Sequence, residues 1–170
     1  MDAGNIVLHE GEYQRLQAVL KTTQSELHAH IVMLIDRAGH QIACEGPDHE
    51  IDQTALASLA AANVAATNGL AQLVGEPEFS VLFHQGTQRS IHISEVAKGF
   101  SLVLVFDQAV ASGVVRWKVK RATFSLDEIM SEVIKRSDRH GAAAAGSAAA
   151  PSAKFTDEDI NRLVGEINLQ

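Results

Sequence analysis

Eight histidines and one cysteine are the residues whose chemistry would matter most if their spacing were right. A zinc site needs three or four ligands at set intervals, as in HExxH on a helix. Here His28 and His30 stand two apart just before a β-rich run, His84 and His92 fall on different expected strands, and no HExxH occurs. No metal site and no cofactor are expected. A single thiol makes neither an intrachain disulfide nor a cysteine-based zinc site, and Cys44 lies inside an apolar extended run rather than in the setting that activates a nucleophile. GxxxxGK[ST] and GxSxG are both missing, and no carboxylate pair is placed for acid–base work. The chain is therefore expected not to be an enzyme itself, and no catalytic residue is assigned.

Its surfaces remain as the candidates. A net charge of −7 argues against nucleic acid or an anionic membrane as the main partner, because both require a positive footprint. "RWKVKR", from Arg116 to Arg121, is locally basic, but on a helix its charges spread around the face away from the core. The opening "MDAGNIVLHEG" lacks the basic and then apolar order of an export signal, and no apolar run approaches the roughly 20 residues that span a bilayer. A cytoplasmic protein without membrane insertion is the expectation.

The elements that must form those surfaces follow from periodicity. Tyr13, Leu16, Leu20 and Leu27 share one face of a first helix between Glu10 and Leu27. "HIVMLIDRAGHQIACEG" predicts a hairpin, with a strand from Ile31 to Asp36, a turn at Gly39 and a second strand to Glu45. Three strands are predicted at Ser80 to Gln85, Ser90 to Val96 and Phe100 to Phe106, the last almost continuously apolar as a central strand would be. From Ser112 to Arg136, Val115, Val119, Ala122, Leu126, Ile129 and Val133 recur at helical spacing and predict a long helix lying along the sheet. Trp117 and Phe124 fall opposite that stripe. Ordinary packing, cover for a neighbouring subunit, or docking of the tail would each explain them.

Between the hairpin and the later strands runs "LASLAAANVAATNGLAQL", with no charged residue between Asp52 and Glu76. On a helical wheel Leu56, Leu59, Asn63, Ala66, Leu70 and Val74 fall together, and these are expected to face the sheet, with Asn63 satisfying a buried backbone group. The opposite side would carry Ser58, Ala61, Ala65, Asn68, Gly69 and Gln72, where a surface helix normally displays Lys and Glu. A face without charge suits a protein–protein interface, whose core is depleted in charge. A second face buried within the monomer is the alternative.

The composition changes after Ser137. "SDRHGAAAAGSAAAPSAK" has little to bury, and Gly141, Gly146 and Pro151 interrupt it, so residues 138–154 are expected to be a flexible linker. Beyond it "FTDEDINRLVGEI" predicts a short amphipathic helix over 155–168, with Thr156 as N-cap and Phe155, Ile160, Leu163, Val164 and Ile167 as its apolar contacts. The body of the protein would then be a single domain over 8–137.

The order helix, hairpin, helix, three strands, helix, with "IVMLIDRAGHQIACEG" ahead of "LASLAAANVAATNGLAQLVGE", resembles the roadblock/dynein light chain domain family. The resemblance implies an α+β fold in the order α-β-β-α-β-β-β-α, with helices on the faces of a five-stranded antiparallel sheet, plus the tethered C-terminal helix. It further implies a homodimer whose second helices lie side by side as a platform for one Ras-like small GTPase. Ser58, Ala61, Ala65, Asn68, Gly69 and Gln72 take that role here. Stimulation of GTP hydrolysis without an inserted arginine finger, in the control of cell polarity or motility, is the implied activity, with placement at a cell pole a family expectation. The C-terminal helix would contact the GTPase through Ile160, Leu163 and Val164 and affect nucleotide exchange. The alternative is a roadblock scaffold that assembles a larger complex without accelerating hydrolysis.

Overall fold

The computed structural model describes residues 6–47 and 51–147. The chain divides into two compact units, Met1–Ser137 and Asp138–Gln170. In the first, α1 spans Glu10–Leu27, β1 Ile31–Asp36, β2 Gln41–Glu45, α2 Gln53–Leu73, β3 Val81–Gln85, β4 Arg89–Val96 and β5 Phe100–Asp107, and α3 begins at Ser112. All strand pairs are antiparallel, in the order β2-β1-β5-β4-β3. The fold class is thus the expected mixture of three helices with a five-stranded antiparallel sheet.

β5 sits in the middle of that order, which explains its apolar run: every residue from Phe100 to Phe106 is buried. Because strand side chains alternate, β1 and β5 feed two cores on opposite faces of the sheet. On one face Val32, Leu34, Leu102, Leu104 and Phe106 pack with Leu16, Leu20 and Leu27 of α1 and Val115, Val119, Leu126 and Met130 of α3. On the other, Ile31, Met33, Ile35, Ile93, Val103 and Val105 pack with Ala57 and Ala60 of α2. α1 and α3 are tied at their rims by Arg15–Glu132 at 2.8 Å, Lys118–Glu26 at 2.9 Å and Arg121–Glu26 at 2.6 Å.

Helix ends follow local chemistry. His9 donates its backbone N–H to Glu12 Oε2 at 2.8 Å, which closes the first turn of α1, and His28 ends that helix in the left-handed region at φ 48°. Asp52 caps α2 by accepting from the Ala55 N–H at 3.0 Å, so α2 starts at Gln53. The β1–β2 turn is closed by Asp36, whose side chain accepts from the backbone N–H of Ala38 and His40 and meets His40 Nδ1 at 2.9 Å. Gly39 in that turn has φ 83°, and a Cβ there would stand 2.8 Å from the Ser58 Cα, so glycine lets the hairpin rest on the first turns of α2.

One expectation needs correction. α3 extends from Ser112 to Ser147, so the first ten residues of the expected flexible linker are helical. The alanines that follow Gly141 have the highest helix propensity, and the roughly 1 kcal/mol lost at one glycine is too little to end the helix there. Pro151 and the C-terminal helix with Phe155, Ile160, Leu163, Val164 and Ile167 lie outside the described residues.

Candidate protein-binding surface

α2 presents an uncharged outer face, but not the one the wheel selects. The residues turned to the sheet are Ala57, Ala60 and Ala71, all buried, with Leu56, Ala61 and Val64 partly buried on the same core. Leu59 is 69% exposed, Leu70 58%, Leu73 82% and Val74 68%, and Ala66 is exposed as well. Leu59, Ala66, Leu70 and Val74 therefore point away from the sheet, contrary to expectation, and the true outer face is rotated by roughly a quarter turn. The reason is volume. The sheet surface beneath α2 is already filled by Ile31, Met33, Ile35, Ile93, Val103 and Val105, and only a track of small residues lets the helix approach it.

Of the six residues assigned to the outer face, Ser58, Ala65, Gly69 and Gln72 are exposed, whereas Ala61 and Asn68 are half-buried on the flank. Sequence reasoning missed Leu59, Ala62, Leu70 and Leu73. The signal that could have found them is the track Ala57, Ala60, Val64, Ala71 read against the bulky residues of β1 and β5. Asn63 satisfies no buried backbone group: its amide faces His84 Nε2 of β3 at 3.3 Å and accepts from Thr67 Oγ1 at 3.4 Å.

Beside α2 lies an open sheet edge. β3 pairs only with β4, and four of its five residues are exposed, including Val81 and Phe83. An edge strand with apolar side chains and an unpaired row of backbone groups is a template for another chain. Val81 and Phe83 point to the α1/α3 face, where Phe83 meets Phe106 at 6.1 Å, whereas Leu82 and His84 of the same strand face α2, so the edge borders both faces of the sheet.

The side chains capable of chemistry are absorbed locally. Among the described residues no group of three His, Cys, Asp or Glu side chains converges as a metal site would require. His30 Nε2 meets Asp107 at 2.8 Å, and His40 meets Asp36. Cys44 is half-buried on β2, where burial and Glu45 push its thiol pKa up and leave it a poor nucleophile. No helix among the described residues is long and apolar enough to cross a membrane.

Among the described residues His92 is the one titratable side chain buried in the interior. It is buried on β4, with Nε2 2.6 Å from Ser94 Oγ, Phe83 edge-on at 6.2 Å, and Nδ1 without a hydrogen-bond partner among the described residues. Burial, and then the charge of Arg116, lower its pKa from 6.5 to about 4. The fold thus prefers the neutral ring, so this stability is complete above pH 6.5 and is lost as pH falls towards about 4. Near pH 4 the loss should reach about 3 kcal/mol relative to His92→Gln, read as the difference between urea-unfolding curves across that window.

The match to known proteins falls on this framework. The model of the Roadblock/LC7 domain matches residues 15–106, which include nearly the whole sheet, most of α1 and all of α2. The chain belongs to the roadblock/LC7 family. Among solved structures it is similar to MglB of Myxococcus xanthus, with 38% identity over 75% of this chain and 96% of that one at a TM-score of 0.71. The gliding protein MglB of Thermus thermophilus is 36% identical over 75% of this chain and 97% of that one, also at 0.71. An MglB described as having a tetrameric arrangement is 36% identical over 76% and 97%, at 0.72. Among curated proteins no relative matches the chain.

Proposed function

We propose that this roadblock protein is a homodimeric regulator of a Ras-like small GTPase of the MglA type, and that it stimulates hydrolysis by the partner without itself being an enzyme. The observation that carries the reading is the outer face of α2. It holds no charge, exposes Leu59, Leu70 and Leu73, and lies beside the open edge of β3. Two copies pairing through that edge would set their α2 helices side by side as one platform. Ser58, Ala65, Gly69 and Gln72 then contribute its polar and small positions, with Ala61 and Asn68 on its flank. The likeness to MglB over nearly all of each MglB chain supports the same reading.

The mode of action follows from what the face lacks. No Arg or Lys occurs between Asp52 and Glu76, so α2 has no guanidinium to insert beside a transferring phosphate. The platform instead favours the arrangement in which the GTPase aligns its own residues, and this requires tighter binding to that arrangement than to the inactive one. Control of polarity or motility, enrichment at a cell pole, and an effect of the C-terminal helix on nucleotide exchange belong to the same proposal.

Titration of the GTPase, loaded with GDP or with a non-hydrolysable GTP analogue, tests the differential binding. The analogue-bound form is expected to bind at least about tenfold more tightly. Equal affinities would leave nothing to shift the equilibrium and would support the non-catalytic scaffold.

A further inference from the structure

A second apolar face lies on the other side of the molecule. Phe124 is 67% exposed and Trp117 60%, both on the side of α3 opposite its buried stripe. Basic residues Arg116, Lys118, Lys120 and Arg121 precede Phe124 on this helix, and acidic residues Asp127, Glu128 and Glu132 follow it. Lys118 and Arg121 are held by Glu26 of α1, and Glu132 by Arg15. Lys120 and Glu128 have no ion-pair partner among the described residues. Arg116 and Lys120 are like charges four apart near the N-terminus of the helix, which opposes both side-chain spacing and helix dipole. Helix stability does not account for this arrangement.

We infer that the outer face of α3 is a self-pairing surface, on which α3 of a second copy lies antiparallel about a two-fold axis passing through Phe124. An isologous contact brings residues equally spaced on either side of the axis together. Lys120 and Glu128 each stand four residues from Phe124, about 6 Å along the helix, on the oblique i±4 row that runs through it. With the two helices crossing at about −50°, so that these rows run alongside each other, the two-fold axis places Lys120 of one copy beside Glu128 of the other, twice. Lys118 Nζ and Arg121 Cζ of the same copy stand 5.0 Å and 5.3 Å from the exposed Trp117 ring and restrain the indole beside Phe124. A parallel α3 pair would instead set like charges together, so the pattern specifies the antiparallel arrangement. The contact is independent of α2 and β3, and combining both would link dimers into tetramers.

Sedimentation equilibrium of the full chain tests this. Lys120→Glu and Glu128→Lys should each weaken the α3 association about tenfold, because two attractive pairs become two repulsive ones. The double variant should restore it, and Phe124→Glu should abolish it. Failure of the double variant to restore association, or unchanged association in Phe124→Glu, would overturn the inference. With Leu73→Arg in the background, loss of the α2 contact leaves an α3-linked dimer; a monomer there with an associated wild type would overturn this inference alone.

Discussion

Leu73→Arg is expected to remove the association made through α2 while leaving the fold intact. Leu73 is the most exposed large apolar side chain on α2, at 82%, so nothing within the monomer depends on it and unfolding stability should stay within about 0.5 kcal/mol of wild type. In a two-fold contact the change occurs twice. Each copy loses roughly 1.5 to 3 kcal/mol of apolar burial and adds a charge to desolvate, so the dimer dissociation constant should rise by at least about two orders of magnitude. Sedimentation equilibrium beside a thermal melt separates the two effects. A variant that melts like wild type and still associates through α2 would place the contact elsewhere.

The largest expected effect on folding is at Gly46→Ala. Gly46 follows β2 with φ 147°, and a Cβ there would stand 2.1 Å from the His30 carbonyl oxygen and 2.9 Å from the Ile31 Cα. Both obstacles are backbone at the start of β1, the strand paired with β2 and β5, so relief would have to shift the sheet itself. A loss of about 3 kcal/mol or more is expected, read by urea unfolding. Gly69→Ala is the contrast: a Cβ there meets nothing within 4 Å, and the helix should gain up to about 1 kcal/mol. Equal losses at both sites would contradict this account of the backbone.

The contrast between helices explains how much is legible in the sequence. The orientation of α3 can be read because its stripe from Val115 to Val133 is large, apolar and flanked by charges, so hydrophobicity and burial coincide. β5 is recognisable as central because a strand covered on both faces cannot alternate. On α2 the two signals separate. Its inner face is alanine because the sheet beneath it is bulky, and its leucines are left outside. A wheel that follows hydrophobicity alone must turn such a helix the wrong way, and the information that corrects it lies in the facing strands. His92 escapes a reading of local spacing for a similar reason. Its burial arises from the β3–β4 pairing that brings Phe83 opposite it, a contact between strands that the spacing of histidines does not encode.

The central claim is that α2 is a surface that promotes GTP hydrolysis. The most direct measurement is single-turnover hydrolysis by the cognate MglA-type GTPase alone, with this protein, and with Ala65→Arg at equal dimer content. Acceleration by the wild type that is lost in the variant is the predicted result. Hydrolysis that is unchanged by the wild type, or accelerated equally by both, would contradict it.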